Sequence, residues 1–383
     1  MKRLLYISSP SFFDTDFPLI KRLKEKIKTD CLFIIYPDNL KATMIELDKI
    51  YPKTGIFLAK DIYPEFMQYS DCLNLDHTYI LNRVSRNKIS VSNIISYLSL
   101  ILFLLKHKSD AIYTTIIYHV IDWPLYLFSK KTYSAFHDPI PHSSTNVTKN
   151  FQMYQRQIDK VKKCVIFNSF TKDEFIHKFK IGNDKVYISQ IGLNDLISKF
   201  KSENNIGHSK PYILFWGRIE PYKGIEYLLE AMIQVHKKYP NLNLVVAGRG
   251  KIYFDDKPYK DLDYINFDNR FLSLTELANL IDGCKYVVCP YKDATQSGVI
   301  TTAFAFNKPV IGTNVGAIPE YVKDGQLGII IPPCNSKALA SVIEKIESDS
   351  LLYAYLTKNI EDYYQQNDGN WKNISDNLIK IFE

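Results

Sequence analysis

The sequence predicts two α/β domains, each built on a parallel sheet with helices on both faces. Short, almost wholly apolar segments alternate with amphipathic segments along most of the 383 residues. Uninterrupted apolar strands of this kind are typical of sheets covered on both faces. The alternation stops at residues 198–211, a polar stretch that contains Gly207 and Pro211, and then restarts. We therefore expect a linker at that stretch.

The first half begins with a predicted strand at Arg3–Ser8, and Asp16 before Phe17-Pro18 predicts the N-cap and first turn of a helix. The string Asp14-Thr15-Asp16 resembles a metal-binding Asp-x-Asp signature, but we interpret it as a loop and cap. Further strands are predicted at Cys31–Tyr36, Ala111–Tyr118, Ser134–Phe136, Cys164–Asn168 and Lys185–Ile191.

The second half repeats the pattern. Strands are predicted at Tyr212–Trp216, Leu242–Ala247, Tyr286–Pro290 and Pro309–Gly312, and helices at Ile225–Lys238, Leu274–Ile281 and Val299–Phe306. The predicted organisation is a domain at residues 1–197, the linker at 198–211, a domain at 212–350 and terminal helices at 351–383. In doubly wound sheets the ligand lies at the carboxyl ends of the strands, so we expect it in the cleft between the two sheets.

Composition excludes several other classes of protein. Apolar residues make up 46% and charged residues 23%, which excludes a disordered chain. The longest apolar run, Ile94–Leu105, is shorter than the ~20 residues of a membrane-spanning helix. The first residues lack the apolar stretch of a signal peptide, so we expect a cytoplasmic protein. The six cysteines show no metal-binding spacing, and we expect reduced, buried thiols and no bound metal.

Charge is uneven along the chain. Residues 1–200 carry 28 lysines and arginines against 19 acidic residues, whereas the remainder carries 20 against 22. A basic half suggests an anionic partner: a nucleic acid, a membrane surface or a phosphorylated ligand. The alternative is a face of solvated lysines. No nucleic-acid-binding motif is present, and the 27 tyrosines and 22 phenylalanines are spread as core residues would be, so we expect no nucleic-acid partner.

Two strand ends in the second half are suited to phosphate. The first carries Gly217, Arg218 and Lys223 between a strand and a helix, where free amides, the helix dipole and two cations all favour a diphosphate. The second carries Ser297 and Gly298 before a helix, where an anionic oxygen could approach the backbone closely. The alternatives are a turn with two solvated cations and an ordinary N-cap at Thr295 or Ser297.

Several segments resemble the retaining glycosyltransferases of family 4. The resemblance lies in Gly217-Arg218 with Lys223-Gly224, Val246-Ala247-Gly248 with Gly250, Lys308-Pro309-Val310-Ile311, Val315 to Glu320 and Asp324-Gly325. It implies the GT-B fold, in which two Rossmann-like domains face each other across a cleft and C-terminal helices cross back to the N-terminal domain. It further implies metal-independent sugar transfer from a nucleotide diphosphate donor with retention of anomeric configuration, and no cofactor.

The resemblance also implies roles for individual residues. Arg218 and Lys223 would hold the diphosphate and neutralise its charge as it leaves. Donor contacts would come from Gly217, Gly248, Asp293, Gln296, Ser297, Gly298, Val299 and Thr302. The family usually has two glutamates here, and this sequence departs from that pattern, with Ala294 at the first position and Thr302 at the second. Thr302 could offer a hydroxyl to the ribose, and Asp293 stands beside the first position.

In the first half, the resemblance places a histidine of the acceptor side at His137, with His142 as the alternative. Both lie in a loop with Asp138 that follows a predicted strand, and a structural role for either histidine is the competing interpretation. Ser9, in the first strand-to-helix loop, would lie on the acceptor side as well.

The leading hypothesis is a glycosyltransferase that adds one sugar to a lipid-linked glycan in bacterial surface polysaccharide biosynthesis. The expected partners are a nucleotide sugar, a glycan or polyprenyl-diphosphate-linked acceptor, and an anionic membrane surface that binds the basic half. The alternative hypothesis is a sugar-nucleotide-binding or scaffold protein of the same fold that has lost catalysis, because both glutamates are absent.

Overall fold

The computed structural model describes residues 3–85, 90–140, 147–202, 210–366 and 370–383. These residues pack into two compact units. The first consists of Met1–Gly192 together with Trp371–Glu383, and the second of Leu193–Asn370. The α/β architecture expected from the alternating segments is confirmed in both units.

The first unit is built on an extended sheet. The strands of the extended sheet are β1 (Arg3–Ser8), β2 (Lys28–Ile35), β5 (Gly55–Leu58), β6 (Thr78–Asn82), β7 (Ala111–Thr114), β8 (Thr132–Phe136), β9 (Lys163–Ile166) and β10 (Val186–Ile188). Strands β3 (Lys41–Ala42) and β4 (Ile45–Glu46) pair with each other in a separate antiparallel sheet. The helices of this unit are α1 (Phe13–Lys26), α2 (Ala59–Ile62), α3 (Val91–Lys106), α4 (Val147–Lys160) and α5 (Lys172–Phe179). Within the described ranges the sheet order is β10-β9-β8-β7-β1-β2-β6-β5, and β5 runs antiparallel to its neighbour β6.

Helix α1 begins earlier than predicted, and Asp16 is therefore not its N-cap. The helix starts at Phe13, and Asp16 lies inside it, buried against the sheet. Its carboxylate accepts hydrogen bonds from the hydroxyls of Tyr6 at 2.8 Å and Thr115 at 2.9 Å, and from that of Ser8. Burial raises the pKa of Asp16 to about 7, although these three hydrogen bonds oppose the shift.

The second unit repeats the layered plan. Its strands are β11 (Tyr212–Trp216), β12 (Asn243–Ala247), β13 (Ile265–Asp268), β14 (Val287–Cys289), β15 (Val310–Thr313) and β16 (Gly328–Ile331). Its helices are α6 (Ile225–Lys238), α7 (Leu274–Gly283), α8 (Gly298–Ala305), α9 (Ile318–Val322), α10 (Ser336–Ser348) and α11 (Ser350–Gln366). In the part of the chain that is described, the strands are all parallel, in the order β13-β12-β11-β14-β15-β16.

The last helix, α12 (Trp371–Phe382), returns to the first unit and packs against α1. The Phe382 ring lies 4.9 Å from that of Tyr133 and 6.0 Å from that of Tyr113. Lys26 and Asp376 form an ion pair between the two helices. Helix α11, by contrast, belongs to the second unit.

The expectation that all cysteines are buried is wrong for Cys334. It is exposed in the turn after β16 and has a positive φ of 55°, because the chain reverses there. The other five cysteines are buried, and none of them forms a disulfide; they are Cys31, Cys72, Cys164, Cys284 and Cys289.

Candidate functional site

The second unit has a topological switch point between β11 and β14. Strands β12 and β13 lie on one side of β11, and β14, β15 and β16 follow on the other. Loops at the carboxyl ends of the two central strands diverge there, which opens a crevice in doubly wound sheets. The segment from Gly217 to Lys223 follows β11, and the segment from Asp293 to Gly298 follows β14. The two strand ends that the sequence singles out therefore flank this one point.

Glycines allow these loops to pack backbone against backbone. Gly248 has a φ of 133°, and a Cβ atom there would lie 2.0 Å from the carbonyl oxygen of Gly217. Gly224 has a φ of 63°, and its Cβ would lie 2.1 Å from the oxygen of Pro290 at the end of β14. Only glycine fits such contacts. Gly248 thus fixes the loop that carries Gly217 and Arg218.

The two predicted cations occupy different environments. The Arg218 side chain is 75% exposed, and its guanidinium lies 3.8 Å from a carboxylate oxygen of Glu220. Lys223 is only 8% exposed, and its ammonium lies 3.6 Å from the centre of the Tyr291 ring and 5.0 Å from that of Tyr222. The negative ring faces stabilise the buried charge. Arg218 is accessible to an anionic ligand, whereas Lys223 is buried against the two tyrosine rings.

A third cation, Lys292, was missed by the sequence analysis. Its ammonium lies 2.8 Å from a carboxylate oxygen of Glu226, whose other oxygen accepts a hydrogen bond from Tyr253 at 2.5 Å. Its charge is therefore balanced within the unit. The sequence around Lys292 contains no signal for its ion pair with Glu226, because Glu226 lies in α6, far from Lys292 along the chain.

The loop between β14 and α8 holds most of the predicted donor contacts. Ser297 stands at the N-cap of α8, yet in the described residues its hydroxyl makes no capping hydrogen bond and lies 3.2 Å from that of Tyr291. Asp293 is exposed, and Gln296, Gly298 and Val299 are half-buried. The amides at the start of α8 and the Ser297 hydroxyl are thus brought together near Tyr291, which also carries Lys223 on its face.

Thr302 is placed differently from its neighbours. It is buried inside α8, and its hydroxyl donates to the Gly298 carbonyl at 2.8 Å and accepts from the amide of Asn194 at 3.1 Å. These partners use the hydroxyl that the sequence analysis assigned to a ribose. Thr302 therefore ties α8 to the segment that carries Asn194.

In the first unit, His137 follows β8 and lies between two aromatic rings. Its ring centre is 4.5 Å from that of Phe12 and 4.6 Å from that of Phe167. Burial lowers the pKa of His137 to about 4, and the nearby carboxylate of Asp138 opposes the shift. His137 is therefore a neutral imidazole at neutral pH. His142 lies outside the described residues.

Ser9 borders a cavity of about 490 Å³ in the first unit. The cavity lies at the carboxyl ends of β1, β2, β6 and β7, where the sheet order again reverses. Its lining includes Phe12, Tyr36 and an ion pair of 2.7 Å between Arg83 and Asp122, both 4% exposed. Sequence reasoning missed this pair because β6, which Arg83 follows, was not predicted as a strand.

The described residues include no cluster of three or more His, Cys, Asp or Glu side chains that could hold a metal ion. No helix in the described ranges is long and apolar enough to cross a membrane.

Part of the chain is similar to a known protein family. Residues 197–363 match the model of the family "Glycosyl transferases group 1". The matched residues make up less than half of the chain, and they are the part that is similar to group 1 glycosyltransferases. An uncharacterized glycosyltransferase of Methanocaldococcus jannaschii is 28% identical over 233 residues, which cover 55% of this chain and 57% of that relative. The alignment thus spans less than two thirds of the relative's length.

Solved structures show the fold. Sucrose-phosphate synthase from Thermosynechococcus elongatus superposes with a TM-score of 0.67 and 15% identity, covering 100% of this chain and 98% of that one. HepE of Anabaena, solved with UDP-glucose, gives a TM-score of 0.68 and 13% identity, covering 99% of this chain and 100% of HepE. The fold is GT-B, as the sequence predicts, with two Rossmann-like domains.

Proposed function

We propose that this protein is a glycosyltransferase that moves a sugar from a nucleotide diphosphate donor to a glycan acceptor. One observation carries the proposal: the accessible guanidinium of Arg218 and the amides at the start of α8 flank the same switch point of one sheet. Such a place is suited to a diphosphate. The family match covers this region, and HepE, of the same fold, was solved with UDP-glucose.

The proposed chemistry is transfer on one face of the sugar, with retention of configuration and without a metal ion. The bond between the anomeric carbon and the diphosphate oxygen breaks, and a bond to the acceptor hydroxyl oxygen forms. The acceptor's proton passes to the leaving diphosphate. Negative charge grows on the diphosphate as the first bond breaks, so Arg218 and Lys223 stabilise the transition state more than the ground state. His137, neutral and fixed between two rings, would contact the sugar from the acceptor side.

For the acceptor we propose a polyprenyl-diphosphate-linked glycan in surface polysaccharide biosynthesis, met at the inner face of the cytoplasmic membrane. Support comes from the excess of cations in residues 1–200. Anionic lipid surfaces attract such segments by about 1 kcal/mol for each basic residue close to the surface.

A second candidate is a sugar-nucleotide-binding protein without catalysis. Thr302 and Ala294 stand where the family usually has glutamates, and the Thr302 hydroxyl is hydrogen bonded within the unit. The donor sugar would then lack two carboxylate contacts.

The test is a thermal-shift series with UDP, GDP, dTDP, ADP and CMP, with and without EDTA. Ligand binding to the native state raises the melting temperature. We expect one nucleoside diphosphate to stabilise the wild type and Lys238→Ala, a control that removes an exposed cation at the far end of α6. Arg218→Ala should respond weakly. Matching sugar nucleotides are then assayed for release of the nucleoside diphosphate.

The outcomes separate the two candidates. Binding with release supports a glycosyltransferase, and binding without release for every sugar supports the non-catalytic candidate. If EDTA abolishes the binding, metal independence is wrong. If no nucleotide binds to the folded protein, both candidates are wrong.

A further inference from the structure

Helix α3 of the first unit presents an apolar stripe to solvent. The stripe consists of residues three and four positions apart, which lie on one face of a helix. Each is between 46% and 75% exposed; the six are Val91, Ile94, Ile95, Leu98, Leu102 and Leu105. Monomeric proteins rarely expose a continuous row of large aliphatic side chains, and such rows mark interaction surfaces.

The opposite face of α3 fixes the helix to the unit. Leu100, Phe103 and Leu104 are buried in a core that includes Leu5 and Ile7 of β1. Ser96, also buried, accepts a hydrogen bond from Arg83 at 2.9 Å. Because the buried face of α3 is packed into the core, the apolar stripe faces solvent. Helix α3 therefore carries apolar side chains on both faces.

A neighbouring 3-10 segment, Val120–Lys131, widens the surface. Its Trp123 and Leu127 are 45% and 62% exposed. The Trp123 ring lies 6.4 Å from that of Tyr97, which borders the apolar stripe. Tryptophan is enriched where an apolar phase meets water, because its ring is amphipathic.

The solvent-accessible charged side chains of α3 and the 3-10 segment are all lysines. The sequences of α3 and the 3-10 segment contain one acidic residue, Asp122, and it is buried in the ion pair with Arg83. Lys106, Lys108 and Lys130 are exposed. Lys131 donates a hydrogen bond to the carbonyl of Ser109. The C-terminal end of α3 and that of the 3-10 segment therefore lie close together, and so do the lysines that they carry. Asp110, nearby, accepts from the Arg3 amide at 2.8 Å.

We propose that the apolar stripe, with Trp123 and Leu127, docks the first unit onto an anionic lipid bilayer. The aliphatic side chains would enter the boundary of the acyl chains while the lysines contact lipid phosphates, as in helices that lie in the membrane plane. A partner without negative charge would offer no ionic contact to Lys106, Lys108 and Lys130. The purpose of docking rests on the proposed function, since a lipid-linked acceptor is met there, but docking itself requires no sugar transfer.

The test is co-sedimentation of the full chain with vesicles of phosphatidylcholine alone or with 30% phosphatidylglycerol. We expect binding to the anionic vesicles that weakens with salt. The double variant Leu98→Ser/Leu102→Ser should bind at least tenfold more weakly, and Lys106→Gln/Lys130→Gln should lose most of the salt dependence. Leu351→Ser is the matched control, because Leu351 is 80% exposed in the second unit.

Tryptophan emission gives an independent readout. Trp216 and Trp371 are buried at 7% and 5% exposure, whereas Trp123 is exposed. A blue shift on adding anionic vesicles, absent in Trp123→Phe, would support insertion of this surface.

The proposal is overturned by equal binding of the double variant and the Leu351→Ser control, or by no binding to either vesicle. It is also overturned if the wild type is a dimer that Leu98→Ser/Leu102→Ser dissociates while vesicles do not bind, since a second copy would then cover the apolar stripe. Circular dichroism melts confirm that each variant is folded. Nucleotide binding is measured separately, so its failure does not affect the vesicle result.

Discussion

Arg218 and Lys223 are both proposed to bind the diphosphate, but their different burial predicts different consequences of removing them. Arg218→Ala should leave the melting temperature of the ligand-free protein unchanged, because its side chain is 75% exposed. It should weaken binding of the nucleoside diphosphate roughly tenfold to a hundredfold, the effect of about 1.5 to 3 kcal/mol for a lost charged hydrogen bond. Calorimetric titration measures the affinity.

Lys223→Ala should lower both the affinity and the melting temperature, since the change also removes the contact with the Tyr291 ring at 3.6 Å. An Arg218→Ala variant that bound nucleotide as tightly as the wild type would remove Arg218 from the proposed site.

His137 should remain neutral well below neutral pH. Its pKa in the folded protein is about 4, below the ordinary value of about 6.5, because burial disfavours the imidazolium. At a pH between these two pKa values, the unfolded chain therefore binds more protons than the folded protein. The stabilising contribution of neutral His137 is therefore complete above about pH 6.5 and is lost as the pH falls through 4.

The measurement is an NMR titration of the histidine ring protons, with His137→Phe to assign the signal and to keep the stacking on Phe12. A signal of His137 that titrates near pH 6.5 would contradict this prediction. Melting temperatures against pH must be compared between the variant and the wild type, because Asp16 acts in the opposite sense. Its pKa is raised to about 7, so its contribution is lost as the pH rises towards 7.

At the scale of elements, the loops after β11 and β12 offer a matched pair of glycines. Both have φ near 130°, so alanine strains the backbone at either by about 1 to 3 kcal/mol. At Gly217 a Cβ meets no atom within 4 Å, whereas at Gly248 it lies 2.0 Å from the Gly217 oxygen. Gly248→Ala should therefore cost more stability than Gly217→Ala, and it should weaken nucleotide binding by displacing Arg218.

Urea denaturation gives the stability difference, and titration with the nucleoside diphosphate gives the affinity. Equal losses in the two variants would mean that the close packing of the two loops does not matter.

The central elements of the second unit were predictable because their patterns are local. Strand β11 and helix α6 have the predicted bounds, since one is wholly apolar and the other is amphipathic after Gly224. Strand β13 was missed because Asn266 and Asp268 interrupt its apolar pattern, and it lies at the sheet edge where one side faces solvent. Strands are predicted from apolar patterns that reflect burial, and edge strands are less buried than central ones.

The loops of the candidate site could be predicted from the sequence, but the residue pairs that interact across the fold could not. Arg218 and Ser297 could be assigned because both follow apolar strands. The ion pair of Arg83 with Asp122 joins residues 39 positions apart, and that of Lys292 with Glu226 joins residues 66 apart. Such pairs depend on tertiary packing, which no local spacing encodes. The same holds for Thr302, whose partner Asn194 lies in a different segment.

At the scale of the whole molecule, the first unit is completed by residues that follow the entire second unit. Residues 1–192 end before the second unit begins, and α12 returns to the first unit, where it packs against α1. Trp371, Ile374, Leu378 and Phe382 are buried on that side of α12. The stability of the first unit therefore depends on the last residues of the chain.

Phe382→Ala should destabilise the first unit by about 3 kcal/mol or more, the usual cost of removing a buried phenylalanine, because the rings of Tyr113 and Tyr133 lose their partner. Tyr355→Ala is the control, since Tyr355 is 54% exposed on α11. Thermal unfolding followed by circular dichroism measures the change. If both variants melt together, α12 is dispensable to the first unit. If Phe382→Ala melts earlier while its affinity for the nucleoside diphosphate is unchanged, the two units are energetically separable, and the nucleotide site belongs to the second unit alone.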